Sequence, residues 1–139
     1  MSESENGGLE FRFRHTMLPV ADLDRSVDFY TRLMGMQVLR RRDQPSGRSI
    51  AYVGYGEEGT HPVLELIAGT DDAEKPWAGH FSIAVNDLKA LVDRLQGEGV
   101  RFTRDLVAPE GGTNAFVANV TDPDGFEIEL NQRKGGIFS

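Results

Sequence analysis

The sequence predicts an α+β fold built from two βαβββ modules in a chain of 139 residues. Three observations predict it: the chain repeats itself once, each copy opens with a strand-period segment followed by a helix-period one, and each copy closes with three short β-rich runs. The repeat emerges when His15-Thr-Met-Leu-Pro-Val-Ala-Asp-Leu-Asp is set over His80-Phe-Ser-Ile-Ala-Val-Asn-Asp-Leu-Lys. At an offset of 65, His15 meets His80, Val20 meets Val85, Asp22 meets Asp87 and Leu23 meets Leu88. Downstream, Leu64-Glu65-Leu66 meets Ile128-Glu129-Leu130 at an offset of 64, so the copies differ by a single-residue gap.

Taken in order, the first strand is expected over Phe11 to Val20, where Phe11, Phe13, His15 and Met17 share one face by the period of two. Asp22 or Asp24 supplies an acidic N-cap, and Leu23, Val27, Tyr30 and Met34 form the apolar stripe of a helix that Gly35 stops. Three strands follow at Gln37–Arg41, Ser49–Tyr55 and Val63–Ala68. A loop from Gly69 to Gly79 links the copies. The second copy opens with a strand over His80–Val85, then Asn86 or Asp87 as cap and a helix with Leu88, Leu91, Val92 and Leu95 as its stripe, ended by Gly97 or Gly99. Its last strands are expected at Arg101–Arg104, Asn114–Asn119 and Phe126–Gln132, the final two joined by the Asp122-Pro-Asp-Gly125 turn. The reading is one domain over 10–133, with repeats at 10–69 and 79–133 and loose tails at 1–9 and 134–139.

Composition narrows the function. Fifteen basic against 22 acidic residues leave a net charge of −7, a field that repels a phosphate backbone and argues against a nucleic-acid partner. With no cysteine, disulfides and thiolate metal sites are excluded, so any metal must sit on nitrogen and oxygen ligands. No basic, apolar leader is visible and no apolar run approaches the roughly 20 residues that span a bilayer, so a cytoplasmic protein without a membrane partner is expected.

Two of the three histidines stand at equivalent positions of the repeat, and a glutamate follows each 50 or 49 residues later. Both glutamates lie inside apolar runs, Pro-Val-Leu-Glu65-Leu-Ile and Phe-Glu-Ile-Glu129-Leu. An unpaired carboxylate turned into a sheet interior is unfavourable by several kcal/mol or more, and metal coordination is one arrangement that removes the penalty. Read singly, such a histidine is a hydrogen-bonded strand end and such a glutamate the solvent face of a half-buried strand. The recurrence of the pair favours a shared metal held by His15, Glu65, His80 and Glu129. Glu127 and Glu129 share a face by periodicity, but the repeat matches Glu65 to Glu129 and Val63 to Glu127. His61, in the Glu57–Pro62 turn, has no repeat partner and reads as a surface residue.

His15-Thr-Met-Leu, the helix start Asp22-Leu-Asp-Arg-Ser-Val-Asp-Phe-Tyr30, Leu33-Met-Gly-Met36, Tyr52-Val-Gly-Tyr-Gly56, Gly79-His80 and Asp122-Pro-Asp-Gly-Phe-Glu-Ile-Glu-Leu130 together resemble the glyoxalase I (lactoylglutathione lyase) family of the vicinal oxygen chelate superfamily. The resemblance covers about residues 11 to 132. It implies a carbon–sulfur lyase that turns the hemithioacetal of a thiol and methylglyoxal into a 2-hydroxyacyl thioester through an ene-diolate. It also implies a homodimer whose metal site is shared, with His15 and Glu65 from one chain and His80 and Glu129 from the other. A histidine at position 15 in a short chain is similar to members that prefer Ni2+ or Co2+ over Zn2+. In the resemblance Glu129 is the base and Glu65 its opposite-face counterpart. Where relatives grip the carboxylates of glutathione, this chain carries Pro19, Gly69 and Glu110, the last before Gly111-Gly-Thr113; Arg104 keeps a matching basic position.

Two other classes compete. A further enzyme on the same scaffold, such as an acyl-CoA epimerase or a glyoxalase using another thiol, would share the enolate chemistry; for CoA the run Arg40-Arg-Arg42 is the one basic candidate. An extradiol dioxygenase would leave a fourth ligand unexplained. A non-catalytic ligand-binding dimer needs an aromatic cleft and no metal, and Trp77 and Phe81 are the aromatics near the second histidine, as pocket wall or dimer contact.

Overall fold

A computed structural model describes residues 7–71, 77–109 and 115–134. The chain divides into two compact units, one ending at Thr70 and one beginning at Asp71, and each is a βαβββ module. The first holds β1 (His15–Val20), α1 (Leu23–Asp28) continuing into a π-helical turn (Phe29–Leu33), β2 (Gln37–Asp43), β3 (Ser49–Gly54) and β4 (Val63–Ala68). The second holds β5 (His80–Ala84), α2 (Leu88–Gly97), β6 (Phe102–Val107), β7 (Ala115–Thr121) and β8 (Glu127–Arg133). The sheet orders are β1-β4-β3-β2 and β5-β8-β7-β6, the same topology twice.

In each unit the first and last strands run parallel and the other neighbours antiparallel. Parallel neighbours need a long crossover, which the helix and the two intervening strands supply. The register is equivalent in both: His15 lies across from Val63 and His80 from Glu127. Each helix lays its apolar face on its own sheet. Leu23, Phe29, Tyr30, Leu33 and Met34 are buried in the first unit, and Leu88, Val92 and Leu95 in the second. Leu18, Val20, Val53 and Leu66 complete one core, and Ala118, Val120, Phe126, Ile128 and Leu130 the other; Ile50 packs with Tyr52, Val63 and Ile67 on the opposite face of the first sheet.

The caps resolve to Asp22, whose carboxylate accepts from the Arg25 amide at 3.1 Å, and Asp87, which accepts from Ala90 at 3.1 Å. Gly35 and Gly99 take φ of +75° and +74°, the left-handed conformation a helix stop requires. Several boundaries differ from those the periodicity predicts. β1 begins at His15, not Phe11, and Phe11 and Phe13 are exposed. Its partner β4 starts at Val63, so residues before His15 have no strand to pair with beyond the bond from the Val63 amide to the Arg14 carbonyl. The buried stripe of the first helix runs through Leu23, Ser26, Tyr30 and Leu33, so Ser26 is buried and Val27 half-buried. Leu91 is likewise half-buried. Of the strand expected at Asn114–Asn119, Asn114 lies outside the described residues, as do Glu110 to Thr113, residues 1–6, 72–76 and 135–139. No described helix is long and apolar enough to cross a membrane.

Candidate metal centre

In a parallel pair, residues directly opposite point to the same face, and so do residues two further along. His15 lies opposite Val63, so Glu65 is its diagonal neighbour on the same face; His80 lies opposite Glu127, so Glu129 is its diagonal neighbour. The structure brings both pairs together. His15 Nε2 stands 3.5 Å from Glu65 Oε1, and His80 Nε2 stands 3.1 Å from Glu129 Oε2. Glu127, directly across from His80, accepts instead from the Asn119 amide at 3.1 Å, and Asn119 Oδ1 is buried without a hydrogen bond. The ambiguity between Glu127 and Glu129 therefore resolves in favour of Glu129 as the neighbour of His80.

The two glutamates differ in setting. Glu65 lies within five consecutive buried residues, Val63 to Ile67, with 12% of its side chain exposed, whereas the Glu129 side chain is 31% exposed. A residue the sequence reading did not single out accounts for part of this. Tyr52 on β3 sits directly across from Glu65, is 2% exposed, and donates its hydroxyl to Glu65 Oε2. Burial pushes the Tyr52 hydroxyl pKa above its ordinary value, and the hydrogen bond to Glu65 pushes it further. The Arg40 guanidinium lies over the Tyr52 ring at 3.8 Å and grips Glu58 at 2.6 and 3.2 Å, holding the Glu58 carboxyl below its ordinary value. The run Arg40-Arg-Arg42 is thus committed within its own unit: Arg41 meets Asp24 at 2.9 Å, and Arg42 reaches the Tyr52 hydroxyl at 3.5 Å. Pattern alone hides Tyr52, because eight residues separate β3 from β4 and leave the hairpin register unspecified.

The remaining candidates fall as follows. Arg104 is exposed on β6, across from Asn119. Pro19 is buried in β1, and Gly69 is exposed with φ +89°. His61 is exposed in its turn, within 3.0 Å of the Thr60 hydroxyl. Trp77 packs its ring 4.8 Å from Phe126.

The pairs fit a divalent cation. Donors about 2.1 Å from one ion stand about 3.0 Å apart at an octahedral angle and about 3.4 Å apart at a tetrahedral one. The observed separations of 3.1 and 3.5 Å match, and imidazole nitrogen with carboxylate oxygen suits nickel, cobalt or zinc. Each unit contributes two donors; among the described residues no group of three or more His, Asp or Glu side chains comes together.

A duplicated βαβββ topology with one histidine–glutamate pair on the first and last strands of each copy defines a class of protein, and comparison with known proteins agrees. The chain belongs to the Glyoxalase/Bleomycin resistance protein/Dioxygenase superfamily, whose model matches residues 12–130. It is 43% identical over 127 residues to a probable lactoylglutathione lyase of Vibrio cholerae, covering 88% of this chain and 91% of that one. It is 40% identical over 129 residues to the lactoylglutathione lyase of Neisseria meningitidis, with coverage of 90% and 93%. Among solved structures, the trypanothione-dependent glyoxalase I of Leishmania major matches with a TM-score of 0.76 at 38% identity, covering 91% of this chain and 89% of that one.

Proposed function

We propose that this chain is a metal-dependent lyase of the glyoxalase I type, converting the hemithioacetal of a thiol and methylglyoxal into a 2-hydroxyacyl thioester. One observation carries the reading: the same histidine–glutamate diagonal occurs at equivalent register positions in both modules of a chain whose relatives are lactoylglutathione lyases. His15, Glu65, His80 and Glu129 would hold the cation. As each unit offers two donors, we assign the complete set to a homodimer, His15 and Glu65 coming from one subunit and His80 and Glu129 from its partner. When bound, a divalent cation supplies Lewis-acid stabilisation of the negative charge that develops on the substrate oxygens. Nickel or cobalt is the proposed metal, with zinc as the alternative.

Glu129 is assigned the proton transfer. Its carboxylate is the more exposed of the two, and among the described residues its side chain has one polar partner, His80. It removes the proton from C1 and returns it at C2, so no proton is gained or lost overall. Glu65, buried and held by Tyr52, remains a ligand. Arg104 is the proposed contact for a carboxylate of the thiol. Positions 19, 69 and 110 carry Pro, Gly and Glu, so the thiol has fewer cationic partners here than the resemblance implies. The cytoplasm is the proposed compartment, on the acidic, cysteine-free composition.

The test is direct. Nickel-loaded protein should form thioester from methylglyoxal with glutathione or another low-molecular-weight thiol. Failure with every thiol tried, across nickel, cobalt and zinc, overturns the proposal.

A further inference from the structure

We infer that Tyr52 is a positioning residue that fixes Glu65 as the permanent ligand of the metal site, so that the two equivalent carboxylates take unequal roles. The inference rests on the function proposed above. The two oxygens of Glu65 are divided between partners: Oε1 faces His15 Nε2 at 3.5 Å and Oε2 accepts the Tyr52 hydroxyl. The tyrosine is itself constrained on several sides. Arg40 covers its ring face at 3.8 Å, the His15 ring meets it edge-on at 6.1 Å between centroids, and Arg42 approaches the hydroxyl at 3.5 Å. Arg40 in turn is clamped by both oxygens of Glu58. A relay from Glu58 through Arg40 and Tyr52 therefore sets the Glu65 rotamer. Outer partners of this kind orient a ligand and lower the cost of ordering it when the cation arrives.

The second module supplies the internal comparison. Register places Asn119 across from Glu129, where the first module has Tyr52 across from Glu65. Asn119 is too short to do the same work and donates to Glu127 instead. Glu129 is left with His80 and with 31% of its side chain exposed, against 12% for Glu65. A single difference at one register position thus separates an anchored carboxylate from one free to move.

The experiment measures the affinity of the full-length protein for Co2+ by competition with a chromophoric chelator, alongside thermal melting. Tyr52→Phe keeps the ring beneath Arg40 and removes the donor. It should weaken Co2+ binding about 10- to 100-fold, the range for loss of an outer-shell partner. The same loss is expected on a Glu129→Gln background, and none on a Glu65→Ala background, where no acceptor for the hydroxyl remains. A merely structural role would lower affinity on all backgrounds alike. An affinity for Tyr52→Phe within about 2-fold of wild type, or an equal further loss on Glu65→Ala, overturns the inference. Arg40→Gln, an exposed change that releases the ring, should weaken Co2+ binding in the same direction; should Tyr52→Phe fail to fold, an unchanged affinity for this variant is the refuting result. Wild-type protein that takes up no Co2+ refutes the proposed function as well, whereas one that binds Co2+ and forms thioester beside an unchanged Tyr52→Phe refutes this inference alone.

Discussion

Asp122 is the residue through which the fold most directly sets the position of Glu129, and its replacement by alanine allows a worked prediction. Asp122 is 4% exposed and directly follows β7. Its Oδ1 accepts from the amides of Asp124 and Phe126, each at 2.9 Å, while its own amide donates to the Phe126 carbonyl at 2.9 Å. The Gly125 amide donates to the Asp122 carbonyl at 3.0 Å, and Gly125 takes φ +92°, which suits glycine alone in this tight turn. The turn delivers Phe126 into the core and starts β8 with Glu127 paired to Thr121, two residues before Glu129.

Alanine at 122 leaves the Phe126 amide buried without its side-chain acceptor, a loss of about 1–3 kcal/mol, and the part-buried Asp124 amide adds about 0.5–1 kcal/mol after partial recovery by water. Together these come to about 1.5–4 kcal/mol, which corresponds to a fall in melting temperature of roughly 10 °C for a chain of this size. Asp122→Asn keeps an acceptor oxygen and forfeits only the charge assistance, so it should cost about 1 kcal/mol. Urea denaturation and calorimetry of the two variants measure this. An Asp122→Ala protein within about 1 kcal/mol of wild type, or an asparagine variant as damaged as the alanine one, would refute the assignment of the turn to these side-chain bonds.

Other predictions follow from the same geometry. Glu129→Gln should lower kcat at least about 100-fold with methylglyoxal hemithioacetal, the usual contribution of a general base, and steady-state kinetics with a metal assay in parallel will show whether the loss is chemical. Chelation with EDTA should abolish activity and lower the melting temperature, and Ni2+ or Co2+ should restore both; a dialysed, metal-free protein of full activity would contradict the site. The Glu58 carboxyl is held below its ordinary value of 4.5, first by the Arg40 hydrogen bond, so its stabilising contribution is present above that pH and is lost as pH falls through the folded value. Glu58→Gln should accordingly flatten the acid limb of stability against pH, read as urea midpoints from pH 7 downward. Gly54→Ala places a methyl 2.9 Å from Val63 Cγ1 in the core and should cost about 1–3 kcal/mol, whereas the atoms nearest a methyl at Gly56 belong to the exposed His61 ring, which can swing aside, so Gly56→Ala should cost under about 1 kcal/mol.

The repeat made most of the fold and the two histidine–glutamate pairs legible before any coordinates. An offset of 65 placed His15 and His80 at equivalent positions of the first strand of each copy, and Val63–Ala68 was read with the bounds β4 has. Matching Glu65 to Glu129 resolved a choice that periodicity could not make, because Glu127 lies on the same face as Glu129. What stayed hidden depends on pairing rather than pattern. Phe11 and Phe13 alternate as a strand should, but alternation records a face and not the presence of a neighbour, and β4 begins too late to supply one. The buried place three residues after Leu23 falls to Ser26 and not to Val27, and an apolar-spacing template passes over it because serine is polar. Tyr52 was visible only as part of a motif; its tie to Glu65 needs the register across an eight-residue connection.

Duplication also explains why the ligands sit where they do. A histidine and a glutamate about 50 residues apart in sequence become diagonal neighbours only because the first and last strands of each module run parallel, with a helix and two strands spent on the crossover. The pair therefore forms when the module closes, and a cation held there binds the folded chain in preference to the unfolded one, so metal affinity and stability are linked. Copying the module copies the pair, and the proposed function asks one carboxylate to be a fixed ligand and the other a mobile base. Divergence at the register position beside them, tyrosine in β3 and asparagine in β7, breaks that equivalence without disturbing either strand. On the proposed function, the asymmetry between Glu65 and Glu129 thus resides one strand away from them, at Tyr52 and Asn119.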